Sequence, residues 1–210
     1  MKINVELNSN SIREAVKKLK AVKKIFPQMV AEFYLEVAHW ITKRADFYID
    51  NSDIGSAVKL QIKSSWVYEQ TANGIKVLNT ANTEKTVDGK KQIVPTAILV
   101  EFGVGIVGNN QPHPNATEQG YEYNVENGKK EDDGSWHFFS DEADLDIPKS
   151  AIDWGVNGKG ERNRMSIYTR GTKGVWYAYN AVVDANIEIA KPNGGEIGAI
   201  WRKIKTRYIK

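Results

Sequence analysis

Apolar positions in the first fifty residues recur every three or four, the period of a helix. Ser11-Ile12-Arg13-Glu14 matches a capping box, in which serine and glutamate satisfy amides that the first helical turn leaves free. Ile12, Val16, Leu19 and Val22 then fall on one face, with Lys17, Lys18, Lys20 and Lys24 elsewhere. Pro27 has no amide proton, so it is expected to interrupt this helix and open a second one. The second carries Val30, Phe33, Val37, Ile41 and Ala45 as a stripe for packing on a sheet, and fades at Asp50-Asn51-Ser52-Asp53.

From Lys59 the period changes to two. Trp66 and Tyr68 alternate with Val67, Ala72-Asn73-Gly74 turns the chain, and Ile75 and Val77 alternate with Lys76. Asn-Gly between alternating runs is a strong hairpin signal. Asp88-Gly89 marks a second turn before Pro95. Ala97 to Phe102 is a short apolar run that suits helix or strand. Tyr121 to Val125 and Trp136 to Phe139 read as a further hairpin, and residues 140–163 as a long loop anchored by Trp154. Val175 to Ala190 has helical spacing through Trp176, Tyr179, Val183 and Ile187, and Pro192-Asn193-Gly194-Gly195 breaks it. A last helix places Ile197, Ile200, Trp201, Ile204 and Tyr208 on one face and Arg202, Lys203, Lys205 and Arg207 around the other.

The fold class expected is α+β in a single domain, 1–210. A long N-terminal helix packs across a curved antiparallel sheet, with C-terminal helices and a long acidic loop insertion. The helical part is 1–50, the sheet 59–140, the insertion 140–174 and the C-terminal helices 175–210. A chain of 210 residues can hold one good-sized core. It has no cysteine, which excludes disulfides and thiolate metal sites and fits a reducing cytoplasm. No apolar run approaches the ~18 residues of a membrane span, and the first residues lack the apolar core of a signal peptide.

The net charge of +3 is unevenly distributed. Residues 118–148 hold 2 basic and 10 acidic side chains, while residues 149–210 hold 12 and 5. A basic section alone suggests nucleic acid. The acidic neighbour of nearly equal size points to charge-complementary protein contacts, with Glu131, Asp132 and Asp133 facing Arg202, Lys203 and Lys205 within or between subunits.

Candidate chemistry centres on Thr96 to Pro114. Gly103, Gly105 and Gly108 have the G-x-G-x-x-G spacing of a dinucleotide-binding turn. That chemistry needs a strand before the glycines and a helix after them, to bind the pyrophosphate. Here Asn109-Asn110-Gln111-Pro112-His113-Pro114 follows, and prolines on both sides of His113 forbid a helix there. The stretch reads instead as a glycine-hinged loop stiffened by Pro112 and Pro114, with no cofactor. Glu101, the acid inside the apolar motif, suits a general base or, more simply, a hydrogen-bond acceptor for the glycine-loop amides. His39, His113 and His137 lie far apart and form no metal-ligand spacing. They read as a helix-boundary residue, a loop-shaping residue and the outer face of a hairpin. Asp132 and Asp133 lie in a turn, where aspartate bonds the backbone. There is no G-x-S-x-G, P-loop or EF-hand pattern.

The run V-E-F-G-V-G-I-V-G followed by P-H-P resembles the tail-completion, or head–tail joining, minor tail components of long-tailed bacteriophages. The likeness is specific from Ile98 to Phe139 and takes in Gly120-Tyr121-Glu122-Tyr123 and Trp136-His137-Phe138-Phe139. Val104 stands where that family has threonine, and Val175-Trp176-Tyr177 where a small residue, proline and phenylalanine are expected. The resemblance implies a short helix over Ala97 to Phe102. It makes Glu101, Phe102, Gly103, Gly105, Gly108, Pro112, His113 and Pro114 an assembly loop. It implies a structural virion protein, not an enzyme, assembled in the bacterial cytoplasm and located at the neck. There a homo-oligomeric ring, expected as a hexamer, would contact a stopper or adaptor and a tail terminator or tube. Genomic DNA would pass through without sequence-specific binding, and no membrane is involved. Two alternatives stand beside it: a nucleic-acid-binding protein using the basic C-terminal region, and an enzyme whose site forms only in the fold.

Overall fold

In a computed structural model the chain is a mixed helix-and-sheet protein, with a long N-terminal helix, small antiparallel sheets and C-terminal helices. The structure describes residues 9–87, 90–123, 136–140, 152–156, 162–169 and 171–209. Two compact units are present: Met1–Ala45 with Val67–Leu78 and Ala178–Lys210, and Asp46–Trp66 with Asn79–Tyr177.

The first unit is built on α1, Ser9–Asp50, whose last residues belong to the second unit. Pro27 lies inside α1 and does not end it. A proline costs an interior helix about 3 kcal/mol, in part through the carbonyl it leaves unbonded. Pro27 and Lys23, four residues back, are both exposed, so water can serve that carbonyl. The buried face of α1 also differs from the expected stripe. Met29, Ala38, Thr42, Ala45 and Ile49 are buried, whereas Val30, Phe33, Val37 and Ile41 are only half-buried. Ala38, Thr42 and Ala45 are small, which lets a neighbour approach the backbone closely.

One neighbour of α1 is the hairpin β1 (Trp66–Thr71) and β2 (Gly74–Asn79), turned at Ala72-Asn73 as the sequence indicates. Tyr68 reaches α1, with its hydroxyl 2.8 Å from Thr42 Oγ1 and its ring edge-on to His39 at 4.9 Å. His39 is half-buried, as a helix-boundary residue should be.

Two C-terminal helices complete the unit. In α5 (Tyr177–Ala190) the buried residues are Tyr177, Ala181 and Ala185, while Val183 and Ile187 are exposed. The expected phase is therefore wrong, because Tyr177, Ala181 and Ala185, at steps of four, face inward in place of Val183 and Ile187. A 3-10 turn at Pro192–Gly194 leads to α6 (Gly195–Tyr208), which buries Ile197 and Ile204 on the expected face. Arg44 Nε donates to Asp184 at 2.9 Å, which ties α1 to α5.

The second unit starts with a helix that the alternation at Lys59 concealed. In α2 (Ser56–Lys63) Ile62 is fully buried, and Ile54, Val58 and Ile62 stand four apart. Lys59 Nζ donates to the carbonyls of Asp50 and Ser52, and so serves acceptors freed where α1 ends. Next come β3 (Thr83–Val87) and β4 (Lys90–Val94), an antiparallel pair in register from Thr83 with Val94 to Val87 with Lys90. The turn residues Asp88 and Gly89 lie outside the described residues.

Beyond them lie α3 (Thr96–Phe102), β5 (Gly103–Val104) and α4 (Gly105–Asn110). Then come β6 (Trp136–Ser140), β7 (Ile152–Val156), β8 (Arg162–Thr169) and β9 (Gly171–Lys173). Strand β5 pairs with β9, and β6, β8 and β7 form an antiparallel sheet in that order. Two expectations fail here. Strand β6 pairs with β8, and Tyr121 to Tyr123 form no strand, while Asn124 and Val125 lie outside the described residues. The stretch 140–163 is not simply a loop, since it holds β7 and the start of β8. Ile152, Trp154 and Val156 carried a period of two that the surrounding acids and glycines obscured. Among the described residues the strands form four small sheets, not one curved sheet.

Candidate functional site

The glycine motif folds differently from the hinge expected. Helix, not strand, precedes Gly103, and Gly105 and Gly108 lie within α4 rather than in a loop. That helix ends at Asn110, two residues past the third glycine and before Pro112 and Pro114.

Glycine is required where α3 stops. Gly103 has φ +82 and ψ 177, a region that only glycine occupies without strain. From there the chain enters β5, pairing Gly103 with Lys173 and Val104 with Thr172. The strand partner then turns back over the helix end. Val175 N–H donates to Val100 O at 2.8 Å and Trp176 N–H to Glu101 O at 3.1 Å, which satisfies two of the carbonyls a helix terminus leaves free. Gly174 makes this closure possible, because a Cβ there would lie 2.5 Å from Glu101 O. Trp176, next along, has φ +55, an uncommon and strained conformation for so bulky a residue. Its indole Nε1 is buried without a hydrogen-bond partner.

Inside this closure Glu101 and His113 meet. They are 7% and 5% exposed, and Glu101 Oε1 is 3.0 Å from His113 Nε2. The amide of Asn115 donates to His113 Nδ1 at 3.0 Å. A nitrogen that accepts carries no proton, so the ring proton resides on Nε2 and is donated to Glu101. The carboxylate thus finds a partner in an imidazole twelve residues away.

Aromatic rings surround the pair. Phe102 lies 4.4 Å from the His113 ring and stacks on Tyr121 at 4.5 Å, and Trp176 stands edge-on to His113 at 5.9 Å. Two tyrosine hydroxyls fasten the backbone. Tyr121 donates to Gly103 O at 2.6 Å, and Tyr123 accepts from His113 N–H at 2.7 Å. These roles explain why Tyr121 and Tyr123 do not form a hairpin strand. Burial, and then the neighbouring Tyr123, push the Tyr121 phenol up to about 12. Tyr177 donates to Ala97 O at 3.1 Å; burial, and then the charge of Glu101, push its phenol higher still.

The structure therefore brings together Glu101, Phe102, Gly103 and His113, with Pro112 and Pro114 exposed on either side of the histidine. Asn115, Gly174, Trp176 and Tyr177 join them without having been singled out as site residues. Tyr121 and Tyr123 had entered only as part of an aromatic stretch. Arg202, Lys203 and Lys205 are exposed on α6, in the other unit. Arg202 donates to Asn193 O at 2.8 Å. Glu131, Asp132 and Asp133, and the side chain of His137, lie outside what the structure describes. Among the described residues no cluster of three or more His, Cys, Asp or Glu is placed to hold a metal. No helix among them is long and apolar enough to cross a membrane. Comparison with protein families, with curated proteins and with solved structures finds no match for this chain.

Proposed function

We propose that this chain is a structural protein of the bacteriophage neck. It completes the tail top and joins head to tail as a homo-oligomeric ring, expected as a hexamer, around the DNA channel. The sequence likeness between Ile98 and Phe139 supports this reading. The observation that carries it is the Glu101–His113 bond, which ties the E-F-G end of that motif to its P-H-P end. A segment closed in this way, with Pro112 and Pro114 outward, is stiff and suits a contact surface for a stopper, adaptor or tail protein. Both nitrogens of the buried imidazole are engaged, which favours a clamp over proton transfer to a ligand.

A joining assay tests the proposal. Purified chain is added to heads and tails assembled without it, and joined particles are counted by electron microscopy. Joining is expected to rise, and Pro112→Ala or Pro114→Ala is expected to weaken it without shifting the thermal melt. Heads and tails that stay separate would contradict the proposal. The second reading rests on the exposed Lys203 and Lys205 of α6. Salt-sensitive binding of duplex DNA by the monomer, lost on reversing those lysines, would favour it.

A further inference from the structure

Ile12, Leu19, Phe26, Phe33 and Trp40 follow one another along α1 at intervals of seven, which aligns them in one row. Helix α6 covers the C-terminal part of that row. Trp201 meets Phe33 and Phe26 edge-on at 5.5 and 6.3 Å, and Trp40 Nε1 donates to Glu196 at 2.7 Å. Arg207 pairs with Glu32 at 2.5 Å. Glu196 meets Trp40 while Arg207 and Tyr208 meet Glu32, so α6 runs antiparallel to α1 and ends, at Tyr208, near Glu32. On the N-terminal side of Phe26, α1 continues for about five turns. There Ile12 and Leu19 of the row, with Val16 beside them, are 46%, 56% and 43% exposed, while Ala15 next to them is buried.

A second bare face lies on α5, where Val183 and Ile187 stand opposite Ala181 and Ala185 at 37% and 52% exposure, with Val182 and Ile189 along its flank at 49% and 58%. Single exposed apolar residues are ordinary, but two aligned apolar rows on one unit are not.

We propose that these faces meet between copies of the chain, with the N-terminal half of α1 of one subunit lying along α5 of the next. Three observations choose this occupant. The bare row continues an interface that α6 already makes on the same helix. The lengths match, since residues 12–26 and the 14 residues of α5 each span about 21 Å. Charge excludes the symmetric choice. The first part of α1 carries Arg13, Lys17, Lys18, Lys20, Lys23 and Lys24 against Glu14 alone, so two such rows would repel. Helix α5 carries no cation to repel that row, and its two acids are paired within the subunit, Asp184 with Arg44 and Glu188 with Lys191. The two faces differ, so the contact is head-to-tail, and each added copy leaves one face open until a ring closes. The inference rests on the homo-oligomeric reading above and supplies its contact.

Leu19→Glu and Ile187→Glu test it, each at an exposed helical site and each checked by circular dichroism for an unchanged melt. Loss of one buried apolar side chain should weaken association by more than about tenfold. Leu19→Ala and Ile187→Ala should do the same in smaller measure. In sedimentation equilibrium the unsubstituted chain is expected to exceed a dimer and each glutamate variant to remain monomeric. An equal mixture of the two variants should stop at a heterodimer, because one intact face of each kind remains. A monomeric unsubstituted chain would overturn the inference. So would an Ile187→Glu variant that still dimerises while Leu19→Glu does not, since that is α1 pairing with α1. Rings that persist in both variants would overturn this contact and leave the ring intact. Open chains that obey the mixing result would uphold the contact and remove the ring.

Discussion

Replacing His113 by alanine should release the E-F-G end of the motif from the P-H-P end, and its size can be worked from the geometry. The imidazole is 3% exposed as a side chain, so water cannot readily replace its bonds. Losing the Nε2–H donor withdraws a partner from buried Glu101, and a buried polar group stripped of a partner costs about 1–3 kcal/mol. The Asn115 amide loses its acceptor, worth about 1 kcal/mol. The ring contact with Phe102 at 4.4 Å adds about 0.5–1.5 kcal/mol. Together these come to about 3–5 kcal/mol, a large part of the ~5–15 kcal/mol that holds a typical domain. Urea unfolding should show a lower midpoint with an unchanged slope. Hydrogen exchange should show the Asn115 amide losing protection. A cycle with Glu101→Ala should give a double variant less destabilised than the two singles added, by about 1 kcal/mol or more. A His113→Ala midpoint within error of the parent, or strict additivity, would refute the reasoning.

Three further outcomes follow from the same contacts. Gly174→Ala should destabilise the second unit by at least about 1–3 kcal/mol, because its methyl would meet Glu101 O at 2.5 Å; an unchanged melt would mean that closure over α3 is loose. The Tyr121 phenol is raised to about 12, above its unfolded value near 10, so its contribution is intact below pH 10 and fades as pH rises from there through 12. Tyr121→Phe should flatten that alkaline loss in an absorbance titration, and an identical titration would count against the bond to Gly103. Phe33 is half-buried against Trp201 and not fully enclosed, so Phe33→Ala should cost less than the ~3–5 kcal/mol of a core phenylalanine and leave a soluble protein.

The sequence made some of this legible and hid the rest for identifiable reasons. Helical spacing and the Asn73-Gly74 turn announced α1 and the hairpin beneath it, since both signals are local. Pro27 misled because it and Lys23 are exposed, so water can serve the unbonded carbonyl and the helix passes through despite a penalty of about 3 kcal/mol. The phase of α5 misled because larger apolar residues were assumed to face inward, whereas Ala181 and Ala185 do so. At the site, the short helix over Ala97 to Phe102 was expected from the resemblance. The Glu101–His113 bond was not, because it joins residues separated by α4 and a proline turn. Nothing in a tryptophan favours φ +55, so Trp176 could be found only in three dimensions.

The ring is the central claim, and electron microscopy of the purified chain tests it most directly. At low salt, class averages should show closed rings of one subunit number with a single central hole. Raising salt to 1 M, where the Debye length falls to about 3 Å, should dissolve them in part. Reversing Glu131, Asp132 and Asp133 to lysine should weaken them in the same way. Particles that stay monomeric at every salt and protein concentration, or that form only open chains, would contradict the account.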